Sequence, residues 1–127
     1  MDKSELILNG DGSVYHLKLK PENLSSKIIL VGDQFRVDKI TKHFEKIEFK
    51  VQNREFKSVT GYYNSNRITV ISTGIGSGNI DIVLNELDAL VNINLNTGEL
   101  NKSLKKLELI RIGTSGAIQK DIPVDSF

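Results

Sequence analysis

The hydrophobic period along this chain switches repeatedly between strand-like and helix-like. Lys27-Ile28-Ile29-Leu30-Val31 is a short continuous apolar run, the pattern of a strand buried on both faces, and it stops at Gly32. From Asp33, a natural N-cap, Val37, Ile40 and Phe44 recur at helical spacing, which predicts a helix over 33–44. Ile47 to Val51 and Phe56 to Tyr63 read as strands, and the turn signal Asn64-Ser65-Asn66 leads into a third, Arg67 to Ser72. Gly74-Ile75-Gly76-Ser77-Gly78 breaks that strand. Ile80, Val83, Leu84, Leu87, Leu90 and Val91 then fall at i, i+3, i+4, i+7, i+10 and i+11, the stripe of a helix over 78–91. Residues 92–107 are polar and read as a surface insertion with a short helical turn near Leu100 to Leu107. Leu107 to Ile112 restores a buried strand, which ends in the turn Gly113 to Gly116. Strands that alternate with helices and end in glycine turns predict an α/β domain with a mixed central sheet, its ligand at the carboxyl edge.

At 127 residues the chain forms one domain, and 17 basic against 16 acidic residues leave a net charge of +1. That balance gives no electrostatic footprint for nucleic acid or for an anionic membrane, so any anion must be held by a few placed arginines. The absence of cysteine excludes disulfides, thiolate catalysis and cysteine zinc sites. Only His16 and His43 carry imidazoles, without metal-ligand spacing. The start Met1-Asp2-Lys3-Ser4-Glu5 lacks the pattern of a signal peptide, and no stretch reaches the ~18 apolar residues of a membrane span, so a cytoplasmic location is expected.

The candidate chemistry lies in the turns. Gly32-Asp33-Gln34-Phe35-Arg36 and Arg111-Ile112-Gly113-Thr114-Ser115-Gly116 each join a glycine turn to an arginine, and the second adds two hydroxyls, a combination suited to a small oxyanion. Gly74-Ile75-Gly76-Ser77-Gly78-Asn79 does not complete a dinucleotide-binding fingerprint. Arg36 is by default a solvated surface charge. Arg111, inside a strand expected to be buried, needs a partner or an anion, because an unpaired buried charge costs several kcal/mol. Arg54-Glu55 reads as a surface ion pair, His43 as solvated, and His16, in the alternating Tyr15-His16-Leu17-Lys18-Leu19, as a satisfied histidine on a strand.

Five blocks in order carry a resemblance: Val14-Tyr15-His16-Leu17, Ile29-Leu30-Val31-Gly32-Asp33 with Arg36, Asn53-Arg54-Glu55-Phe56, Ser72-Thr73-Gly74-Ile75-Gly76, and Arg111 through Gln119. Together they resemble the N-terminal half of the nucleoside phosphorylases, most closely the uridine phosphorylases. The resemblance implies a three-layer fold that is incomplete at the C-terminus. It assigns Gly32, Arg36, Arg111 and Thr114 to inorganic phosphate, and Arg54 to the phosphate of a neighbouring subunit. It assigns His16 to the neighbour's ribose 5′-hydroxyl, with Thr114, Ser115 and Gly116 at the nucleoside. Glu55, Ile75 and Asn79 match a monovalent-cation site, for potassium, in some uridine phosphorylases, although Asn79 stands where a serine is usual. Gln34 replaces the proline of the family's Gly-Asp-Pro turn.

The implied reaction is phosphorolysis, in which phosphate attacks C1′ of a nucleoside through an oxocarbenium-like transition state. Phosphate is the co-substrate and no organic cofactor is implied. Positioning of such a nucleophile can supply on the order of 7–11 kcal/mol of barrier reduction. The expected assembly is a homo-oligomer built from dimers. The family's base-binding and ribose-gripping residues lie in a second half, so the expectation is a complementing C-terminal chain, or else a fragment inactive on its own. A nucleosidase and a non-catalytic remnant are the alternative readings.

Overall fold

The structure is a computed structural model that describes residues 6–127. Five strands and two helices follow one another as β1 (Lys27–Val31), α1 (Gln34–Thr41), β2 (Lys46–Asn53), β3 (Phe56–Tyr63), β4 (Asn66–Ser72), α2 (Ser77–Asn92) and β5 (Glu108–Ile112), after a 3₁₀ turn at Pro21–Asn23. The strands form one mixed sheet in the order β2-β3-β4-β1-β5. β2, β3 and β4 are antiparallel neighbours, whereas β1 pairs in parallel with both β4 and β5.

The continuous apolar run of β1 follows from its place between two helices. Ile28 and Leu30 point into a core with Ile71, Phe56 and the α2 residues Val83, Leu87 and Leu90. Val31, on the alternate face, joins Val59, Val70 and Val37 of α1, with Ile29, Ile40 and Phe44 packed against them. The helices therefore cover opposite faces of the sheet, and the domain is a three-layer α/β structure. Each fully buried aliphatic side chain contributes roughly 1.5–3 kcal/mol of burial free energy, so the doubly covered β1 is its anchor. The buried hydroxyls of Thr60 and Thr69 are paired: Thr60 Oγ1 lies 2.8 Å from Thr69 Oγ1 and donates to Asn23 O at 2.7 Å, while the Ser25 amide donates to Thr69 Oγ1 at 2.9 Å.

The strand and helix expectations hold to within a few residues, with α1 ending at Thr41 instead of 44. Three do not hold. Val14 to Leu19 forms no strand beyond a single bridge between Leu8 and Val14; the segment turns back on itself, with the Val14 amide donating to Leu19 O. Its alternation arises because Val14, Leu17 and Leu19 are buried in the core shared with β1 and α2. The insertion contains no helical turn near Leu100 to Leu107. Ile93 and Leu100 instead bridge across a tight turn in which Asn94 O accepts from the Thr97 and Gly98 amides. Finally, β5 is an edge strand whose five residues are all exposed, including Ile110 at 65%. Its outer edge and its α1-side face carry no covering element among the described residues.

Gly61 marks the closest backbone approach. A Cβ there would stand 2.7 Å from Phe44 Cδ2 and 3.3 Å from Ile47 Cα, and nearer still to the Lys46 carbonyl oxygen, beside the irregular β2–β3 register at Ile47. Two of these atoms are backbone and cannot swing aside. Gly61→Ala should lower stability by about 1–3 kcal/mol. The check is a lower urea midpoint at unchanged slope; an unaltered midpoint would show that the hairpin shifts freely.

Candidate functional site

Parallel pairing levels the carboxyl ends of three strands. Val31 is opposite Ser72 on one side and Ile112 on the other, so Gly32, Gly74 and Gly113 emerge at one edge of the sheet. They meet in a cleft of about 690 Å³ that is also lined by Asp33, Arg36, Glu55, Asn79, Arg111 and Thr114. A larger cleft, beside Lys20, Leu90 and Leu107, contains none of the candidate site residues.

Each side chain reaches the cleft for a local reason. Asp33 caps α1, accepting from the Phe35 amide at 3.0 Å, which starts the helix one residue after the turn and swings Arg36 towards β5. Arg36 Nη2 there donates to Thr114 Oγ1 at 3.3 Å. Arg111 pairs in register with Leu30, and its guanidinium folds back over Gly113, in the space a Cβ of that residue would take. Its Nη2 would lie 3.9 Å from a Cβ on Gly32. Two guanidinium groups, a hydroxyl and glycine backbone thus converge, an arrangement competent to hold a tetrahedral oxyanion. Among the described residues, ion pairs join His16 to Glu86, Lys57 to Asp38 and Arg67 to Glu48, leaving Arg36 and Arg111 unpaired. The premise that Arg111 is buried fails, since it is exposed on the edge strand; its case rests on convergence.

Glu55, Ile75 and Asn79 line the same cleft. Gly74 has φ +70°, and a Cβ on it would meet Glu55 Cγ at 2.7 Å and Asn79 Nδ2 at 2.8 Å, so only glycine fits the turn. Asn79 Nδ2 donates to Ile75 O at 3.4 Å, and a cation held at that carbonyl would require the amide to turn its oxygen inward. No group of three or more metal-ligating side chains occurs among the described residues.

The remaining candidates stand apart. Ser115 and Gly116 are exposed and line no part of the cleft. Arg54 occupies the two-residue turn between β2 and β3, outside the cleft, with φ +54° and an exposed side chain. It forms no ion pair with Glu55. His16 lies in a separate cavity of about 410 Å³ with Tyr15, Asp81, Asn85 and Glu86. It sits in a turn, not on a strand. The N-terminal loop leading to it is tied by Asn9 Nδ2, which donates to Val14 O at 3.0 Å, and by Ser13, whose hydroxyl and amide donate to Asp11 and hold that carboxyl below its ordinary range.

The contacts of Gln34 and the part of Glu86 were not evident from sequence. Gln34 Nε2 donates to the Arg54 carbonyl at 2.7 Å, while Gln34 Oε1 accepts from Gln52 Nε2 at 2.7 Å, so the residue in place of proline fastens the Arg54 turn to α1. Glu86 receives the His16 loop. Its only sequence signal was a carboxylate on the apolar stripe of α2, one residue before Leu87.

Comparison with known proteins places the chain in a family. The chain is 34% identical to the uridine phosphorylase of Treponema pallidum over 108 residues, covering 85% of this chain and 36% of that one. It is 36% identical over 110 residues to a DeoD-type purine nucleoside phosphorylase of Geobacillus stearothermophilus, covering 86% of this chain and 42% of the relative. The crystal structure of a Trypanosoma brucei nucleoside phosphorylase, described as showing uridine phosphorylase activity, superposes with a TM-score of 0.83 at 36% identity, covering 93% of this chain and 41% of that one. The chain thus spans about two fifths of the length of these relatives. The family model for the phosphorylase superfamily matches residues 26–127, and the chain belongs to that superfamily.

Proposed function

We propose that this chain is the phosphate-binding half of a nucleoside phosphorylase that cleaves a nucleoside, uridine in the first instance, with inorganic phosphate to give free base and ribose 1-phosphate. The observation that carries the reading is the convergence of Arg36, Arg111 and Thr114 over glycine turns at one sheet edge. Phosphate held there by charge-assisted bonds from Gly32, Arg36, Arg111 and Thr114 is aimed at C1′ of a nucleoside lying above the cleft, near Ser115 and Gly116. A nucleosidase, which uses water, has no need of such a cluster.

Arg54 and His16 complete the site from a neighbouring copy of the chain. Both lie outside their own chain's cleft, and a two-fold pairing that brings the β2–β3 turn of one copy to the cleft of the other supplies a third arginine and an imidazole. The nucleobase and the ribose hydroxyls are gripped by the complementary C-terminal portion of the fold. A potassium ion at Glu55, Ile75 and Asn79 would serve structure at that interface, with no part in the chemistry.

Titration calorimetry of inorganic phosphate into the chain tests the anion site. Arg111→Ala should weaken binding by roughly tenfold to a hundredfold, the worth of a charged hydrogen-bonding pair, and Arg36→Lys by less because the charge is retained. Equal, negligible losses would show the arginines to be structural only.

With the complementing C-terminal portion present, uracil release from uridine should depend on phosphate. Release that persists without phosphate would identify a nucleosidase. Robust turnover by the 127-residue chain alone would overturn the division of labour between the halves.

A further inference from the structure

Glu86 is the one charged side chain in the buried set among the described residues, 8% exposed on the core face of α2. Three donors converge on it. The His16 amide donates to Oε1 at 2.8 Å, the Leu17 amide to Oε2 at 2.8 Å, and His16 Nδ1 lies 2.7 Å from Oε1. The opposite side of the same loop is fixed by Asn53 Nδ2, which donates to the His16 carbonyl at 2.9 Å, and the ring is wedged edge-on against Tyr15 and Phe56 at centroid distances of 4.9 and 6.2 Å. A carboxylate accepts only, and two backbone amides already point at this one, so the Nδ1 position must carry the proton. In the neutral ring Nε2 is then bare. It has no hydrogen-bond partner among the described residues, and the ring borders the cavity that also holds Tyr15, Asp81 and Asn85.

We propose that Glu86 is a positioning residue that locks His16 as its Nδ1–H tautomer, so that Nε2 is presented as a hydrogen-bond acceptor for a neutral hydroxyl donor. On the phosphorylase reading above, on which this role in substrate choice rests, that donor is the nucleoside 5′-hydroxyl. A 5′-deoxynucleoside leaves Nε2 unpaired. A 5′-phosphate brings negative charge towards Glu86 and Asp81, so the same arrangement rejects nucleotides.

The tautomer is measured first, on the unmodified chain, by long-range ¹H–¹⁵N correlation of the His16 ring. The expected pattern is a protonated-type Nδ1 and a bare-type Nε2. The opposite pattern, Nε2–H with bare Nδ1, would overturn the proposal whatever the protein's activity. Glu86→Gln, which replaces one acceptor oxygen by an NH₂ group, should shift the ring towards Nε2–H; a ring unchanged in a folded Glu86→Gln protein would also overturn it. Should that variant not fold, Asn53→Ala, which frees the other side of the loop while leaving Glu86 in place, should retain the Nδ1–H pattern, and its loss there would assign the tautomer to loop packing and sink the role of Glu86.

The second readout is the ratio of kcat/KM for uridine over 5′-deoxyuridine in the completed enzyme. It should fall about fivefold to tenfold in Glu86→Gln, with phosphate KM unchanged. An unchanged ratio alongside phosphate-dependent turnover would refute the role in substrate choice while leaving phosphorolysis standing. Turnover that ignores phosphate would refute phosphorolysis, and the ring spectrum would still decide whether Glu86 sets the tautomer.

Discussion

The parallel lodging of β1 between β4 and β5 is the constraint on which the rest of this structure depends. β1 alone has parallel neighbours on both sides, and its alternate residues are claimed by α2 on one face and α1 on the other. Burial on both faces fixes its register, because a slip of one residue would exchange the Ile28–Leu30 and Ile29–Val31 sets between two differently shaped cores. With the register fixed, the carboxyl ends of three strands must stop at one level. The turns at Gly32, Gly74 and Gly113 then have no alternative but to share an edge.

The same architecture determines how charge is handled at its two candidate centres. At the sheet edge Arg36 and Arg111 remain accessible and lack carboxylate partners among the described residues, so they keep their hydration. No burial penalty is stored there. The His16 loop works in the opposite way. Glu86 is withdrawn from water, and its desolvation is offset by two amides and an imidazole nitrogen. Removing any one of these donors leaves the carboxylate short of a partner, which makes the loop conformation and the ring tautomer a single unit.

Much of the fold was legible in the sequence, because short-range patterns carry it. The apolar run at 27–31, the helical stripe from Ile80 to Val91 and the strand limits at Phe56 and Tyr63 are local consequences of which side chains face a core. The five ordered motif blocks likewise sufficed to point to the phosphorylase superfamily, and Gly32, Arg36, Arg111 and Thr114, singled out from them, line one cleft. What the sequence could not settle was burial and partnership, which depend on neighbours distant along the chain. Leu107 to Ile112 has the composition of a core strand and lies at an edge; Tyr15 to Leu19 alternates like a strand and is a turn. Glu86 lies seventy positions from His16, and no periodicity links them. Local patterning determined the elements and the motifs at the strand ends. Only the tertiary structure decided which side chains meet in one cleft and which carboxylate contacts His16, because each of these is fixed by packing between segments that the chain order keeps apart.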